Sequence, residues 1–150
     1  MQPSVWQAQS LFEDGPSAQS AAEAGEKIAV DKLARIIYAE TGASSLRAVE
    51  ALASMARNLC EKSGCPLSEI ILDKAVFESL CRNSTRHQDL FVNDGRSDFQ
   101  MCLRVAKRAA RGLLSDMAAG ATRFHRSSEL PEWAVAEGFI LEIDNLFFYP

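Results

Sequence analysis

The sequence predicts an α+β domain, mainly helical, with a small antiparallel sheet formed by its C-terminal third. Two observations carry that prediction. Apolar residues recur at helical spacing in three long stretches between residues 26 and 114. Past residue 120 the pattern changes to short apolar runs around Asp144-Asn145, two residue types that tolerate the positive φ of a tight hairpin turn. Helices first and a hairpin last is the order of an α+β domain, not of alternating βα units. A length of 150 residues suits one domain, and the 47% apolar content can fill its core.

The elements follow in order. Residues 1–26 are rich in Gln, Ser, Ala and Gly and read as a loose N-terminal arm, with a short helix around Ala18–Ala24; Trp6, Leu11 and Phe12 could dock it. Residues 27–150 form the domain. The first strong helix is expected over Glu26–Thr41, with Val30, Leu33, Ile36 and Ile37 as its apolar stripe and Gly42 at its C-terminal cap. The second is expected over Ser45–Lys62, capped by Ser44 or Ser45 and stopped by Gly64. Pro66 then opens a short helix to Leu72, and residues 73–96 read as a long, polar, functional loop with some helix in it. A third long helix is expected over Ser97–Leu114, burying Phe99, Cys102, Leu103, Ala106, Ala110 and Leu113. Ala121–His125 reads as a strand, and residues 139–149 as the hairpin.

Composition excludes several classes. A net charge of −4 argues against a general nucleic-acid binder. No run of about 18 apolar residues exists, so no membrane span is expected. The N-terminus lacks the basic start and apolar stretch of a secretory signal, so export would need another route or the protein would stay cytoplasmic until released. Cys60, Cys65, Cys81 and Cys102 show no C-x-x-C spacing and read as reduced thiols, Cys60 and Cys102 on apolar helix faces; an oxidising compartment would still allow disulfides. No metal or other cofactor is expected.

Glu40 is the most informative residue. It follows Leu33, Ile36 and Ile37 at spacings of seven, four and three, which places it on the stripe facing the core. A carboxylate there loses water, which disfavours its charged form, and the negative end of the helix macrodipole pushes the same way. A carboxylic acid held protonated is what protonation of a glycosidic oxygen requires. The plainer alternative is a helix-end Glu that swings to solvent or pairs with Arg35. Asn58, near the end of the second helix, could position Glu40 or bind an N-acetyl group, or simply finish the helix. His125 alternates with Arg123 along its strand and could face a cleft, although a lone strand histidine is more often structural. Tyr38 and Tyr149 offer aromatic faces with polar tips suited to sugars. Trp133 reads as a core anchor.

Leu33-Ala34-Arg35-Ile36-Ile37-Tyr38-Ala39-Glu40 resembles the L-x-R-x-[IV]-Y-A-E opening of the SleB-type cell-wall hydrolases, the spore-cortex-lytic family. Arg57-Asn58 matches in part the Asn-Arg pair that closes that family's next helix, and Phe77-Glu78-Ser79 echoes its Q-F-S segment. Ala121-Thr122-Arg123-Phe124-His125 is similar to its A-x-x-F-H strand, followed by Trp133, and residues 143–149 resemble its I-G-N-H-x-F-Y ending, with Asp144 in place of Gly and Leu146 in place of the usual His. The resemblance covers residues 32–149 in order. It implies a lysozyme-like fold and a lytic transglycosylase that cleaves peptidoglycan glycan strands between N-acetylmuramic acid and N-acetylglucosamine in the cell envelope. Glu40 would be its catalytic acid and base, and Tyr38, Asn58, Phe77, Ser79, His125 and Tyr149 would be its substrate-binding residues. The single acid fits, because such an enzyme attacks with the substrate's own 6-hydroxyl rather than with an activated water. Asp89, Asp94 and Asp98 are available if a second acid is used.

Other classes compete less well. A zinc amidase needs a cluster of ligands that His87 and His125 do not supply. A Cys/His peptidase would place Cys60 at the wrong end of its helix. A degenerate hydrolase domain that only binds wall strands or a partner protein is the non-enzymatic alternative, kept open by Leu146. Arg104, Lys107, Arg108 and Arg111 form a basic stripe on the third helix, either a solvated face or a contact for anionic wall polymers or an acidic protein partner.

Overall fold

The stripe Val30, Leu33, Ile36, Ile37 does face inward, and the helix that carries it organises the rest of the chain. The computed structural model describes residues 2–150, with side chains from residue 18 onward; Trp6, Leu11 and Phe12 therefore lie outside the described side chains. Helix α1 runs from Gln2 to Thr41, starting well before the expected Glu26. Over residues 18–25 every side chain is exposed, and burial begins at Val30. Over residues 18–25, backbone hydrogen bonding and not core contact thus sustains this helix. Gly42 ends it at φ 64°, its N–H donating to the Tyr38 carbonyl at 2.8 Å.

Helix α2 (Leu46–Ser63) begins at Ser45, whose hydroxyl accepts from the Ala48 N–H at 3.1 Å, and stops at the left-handed Gly64. Its face Ala48, Val49, Leu52, Ala53 and Ala56 is fully buried. Helix α3 (Leu67–Ile70) is a single turn. The long polar segment carries two 3-10 turns, Glu78–Leu80 and His87–Phe91. Helix α4 (Ser97–Ala110) packs chiefly on α1 and also on α2. It is shorter than predicted and slightly rotated. Phe99, Cys102, Val105, Ala106 and Ala109 are buried, whereas Leu103 is only half-buried and Leu113 is exposed beyond the turn at Gly112.

The last third forms the expected sheet. Strands β1 (Arg123–Arg126), β2 (Leu141–Ile143) and β3 (Leu146–Tyr149) lie in the order β1-β3-β2, all antiparallel. Asp144 and Asn145 form the hairpin turn at φ 50° and 68°. A four-residue helix, α5 (Glu132–Val135), fills the crossover. The architecture is α+β, and no described helix is long and apolar enough to cross a membrane.

Phe77 joins the polar segment to the sheet. Its fully buried ring lies 6.4 Å from that of Phe124, which stacks on Phe148 at 6.1 Å. Phe77→Ala should leave a cavity costing about 3–5 kcal/mol. In a chain of this size that is a fall in Tm of roughly 10 °C. Calorimetry checks it, and a change under 2 °C would mean that the segment is not anchored there.

All four cysteines are free thiols. Burial pushes Cys102 up to about 12 and also raises Cys60, so neither is a ready nucleophile.

Candidate functional site

Glu40 stands on the penultimate residue of α1 with its side chain wholly covered. Both carboxylate oxygens are occupied as acceptors. Oε2 takes the Ser79 N–H at 2.8 Å, and Oε1 takes the Arg126 guanidinium in a close ion pair. The same Arg126 nitrogen donates to the Glu40 carbonyl at 3.2 Å, one of the orphan carbonyls of the last helical turn. Arg126 is itself buried, and its other terminal nitrogen donates to Glu78 at 3.2 Å. A buried carboxylate survives when a cation and an amide compensate it together, and here both are present. Glu40 thus faces the core as its spacing predicts. It neither swings to solvent nor meets Arg35, which is bound to Asp31, Asp94 and the carbonyls of Leu90 and Val92.

Beside this pair opens a polar cleft of about 260 Å³, walled by Glu40, Thr41, Arg86, Arg126, Ser127, Ser128, Asp144, Asn145 and Leu146. It adjoins the end of α1, the residues after β1 and the β2–β3 turn. Asp144 closes one side and ties that turn to the start of α2: its Oδ2 accepts from Ser44 at 2.8 Å and from Ser45 at 2.5 Å. Those two hydroxyls, Ser45 first, hold the Asp144 carboxyl below the usual range. The stability gained from this contact is complete above the ordinary carboxylate range and is lost as the pH falls through it. Thermal unfolding from pH 7 to pH 3 should therefore show the lead of the wild type over Asp144→Asn shrinking with acid. A constant gap would remove the ionised carboxylate from the account.

The residues singled out from the sequence fall into separate places. Ser79 joins Glu40 through its backbone, while its hydroxyl is buried without a partner and its carbonyl meets His87 Nδ1 at 2.8 Å. His125 and Tyr149 come together, Nε2 to phenol at 2.8 Å, but on the other face of the sheet from Arg126. There His125 stacks on Phe147 and meets Trp133 edge-on, and its Nδ1 lies 2.7 Å from the Arg126 carbonyl. Trp133 also carries the Arg123 guanidinium over its ring at 4.5 Å.

Tyr38, Asn58 and Phe77 do not line the cleft beside Glu40. Tyr38 sets its ring edge-on to Phe99. The Asn58 amide donates to Asp116 at 3.2 Å and to the Ala121 carbonyl at 3.0 Å, pinning the 115–121 loop onto α2. Phe77 has no exposed surface to offer a ligand. Of the three candidate aspartates, Asp94 pairs with Arg35 at 2.7 Å and Asp98, in the first turn of α4, with Arg96 at 3.0 Å, and none of the three lines the cleft. The basic stripe of α4 is exposed but partly spent, since Arg108 lies 3.8 Å from Glu50 and Arg111 2.8 Å from Glu26.

Sequence reasoning passed over Arg126. The signal was available: Arg126 is two residues beyond Phe124, so strand alternation sends both to the same inward face. An inward arginine needs a buried anion, and Glu40 was the one already placed in the core. Among the described residues no group of three His, Cys, Asp or Glu side chains is arranged to hold a metal ion. Compared with known family models, characterised proteins and solved structures, the chain matches none.

Proposed function

We propose that the chain cleaves peptidoglycan glycan strands between N-acetylmuramic acid and N-acetylglucosamine, as a lytic transglycosylase built on a lysozyme-like frame. Glu40 is the acid that protonates the glycosidic oxygen and the base that then takes the proton of the 6-hydroxyl. The observation that carries this reading is a glutamate at a helix end that borders a polar cleft, with its carboxylate buried behind the cleft wall. Ser127, Ser128, Asn145 and Arg86 give that cleft donors and acceptors for hydroxyl and N-acetyl groups. The other acidic residue that lines it, Asp144, is engaged by Ser44 and Ser45. A one-carboxylate reaction suits this arrangement better than a hydrolysis that needs two. The substrate places the action in the cell envelope.

One observation favours a second reading. With both Glu40 oxygens occupied, neither is free to pass a proton into the cleft as it stands. A degenerate domain that binds wall strands, or a protein partner through the α4 face, would need no such freedom. Mass spectrometry of digested peptidoglycan separates the two. Fragments ending in anhydro-muramic acid are expected. Reducing ends would replace the transglycosylase with a hydrolase, free stem peptides with an amidase. Binding to sacculi with nothing released would leave the binding domain.

A further inference from the structure

Arg126 stands between one inner and two outer anions. Nη2 serves the Glu40 side chain and, at 3.2 Å, its carbonyl. Nη1 donates to Glu78 Oε2 at 3.2 Å and lies 4.0 Å from Glu129 Oε1. The inner carboxylate is 0% exposed, whereas the outer two are 48% and 49% exposed. The guanidinium Nε is buried without any partner.

This seat is therefore imperfect. A buried N–H that makes no bond has lost its water and gained nothing in return. A short swing outward would return Nε to water and let the Nη1–Nη2 fork meet the Glu78 carboxylate with two parallel bonds, while Glu129 kept the charge balanced. Glu40 would then keep the Ser79 N–H on Oε2 and have Oε1 free beside the cleft.

We propose that Arg126 is the positioning residue of Glu40 and occupies two seats. In the inner seat it holds the carboxylate in the core. In the outer seat, on Glu78 and Glu129, it releases Oε1 to the cleft, where a proton supplied from solvent through the cleft arms Glu40 as the acid for a bound substrate. The consequence for turnover rests on the glycosidase reading of Glu40; the exchange of seats does not. Two half-exposed glutamates that do not themselves line the cleft thereby set how much of the protein is ready to react.

The test is the double substitution Glu78→Gln/Glu129→Gln, which removes the outer anions and leaves the core untouched. Arg126 then stays on Glu40. Release of fragments from purified sacculi should show kcat lowered fivefold or more with KM within twofold of wild type. A smaller fall in kcat, or one matched by a rise in KM, overturns the gating role. Side-chain NMR reads the seats without turnover. The Arg126 Nε–H signal, assigned by its loss in Arg126→Lys, should show microsecond-to-millisecond exchange in the wild type and lose it in the double variant. No exchange in the wild type overturns the two seats. Exchange in a protein that releases no fragments keeps the seats and removes the glycosidase.

Discussion

Glu40→Gln should stop fragment release while leaving the protein folded and bound to sacculi. Gln keeps the shape of Glu and an oxygen to accept the Ser79 N–H, and Arg126 retains Glu78 and Glu129 as partners. What is lost is the proton that the reaction moves twice. General acid–base catalysis by one group is worth about 10²–10⁴-fold. Release measured over hours should therefore fall by at least about 10²-fold. The binding isotherm to sacculi should be nearly unchanged, because Glu40 is covered and its carboxylate makes no surface contact. Activity within tenfold of wild type would mean that the acid is elsewhere. Asp144 would then be the first residue to examine, as the other acidic residue that lines the cleft.

The largest effect on stability is expected at Arg126. Arg126→Met removes the cation and leaves the Glu40 side chain without its partner in a place without water. Breaking a buried pair from one side costs about 3–5 kcal/mol, because the partner is left uncompensated. The contacts to Glu78 and Glu129 add little, since those carboxylates are half-exposed and screened. Urea unfolding should show the loss directly. Glu40→Met/Arg126→Met, which removes both charges, should recover most of it, giving a strongly non-additive cycle. A single variant within about 1 kcal/mol of wild type would mean that the pair does not hold the end of α1 to β1.

Much of the frame was legible in the sequence because it depends on local rules. The caps at Gly42, Ser45 and Gly64 and the turn at Asp144-Asn145 are short-range matters of φ and of orphan N–H groups, and all stand where the residue types put them. The face of α4 was less legible. Its candidate positions differ by one or two residues, Leu103 against Val105 and Ala110 against Ala109, and only the angle at which α4 meets α1 decides between them. The start of α1 was missed because composition measures the tendency to pack, and residues 18–25 are helical without packing. Among the candidate site residues, Glu40 and Ser79 meet, whereas His125 and Tyr149 meet each other on the far face of the sheet. Strand alternation fixes which residues share a face, but nothing local says which face looks toward α1.

The sequence by itself placed Glu40 in the core, because helical periodicity assigns a face to every residue it covers. The partner of that glutamate lies 86 residues away and reaches it only when β1 closes over the end of α1. Tertiary structure made that choice, Arg126 rather than Arg35, because a charge in the interior must be matched by whichever opposite charge the fold brings within reach, and sequence distance does not enter that condition.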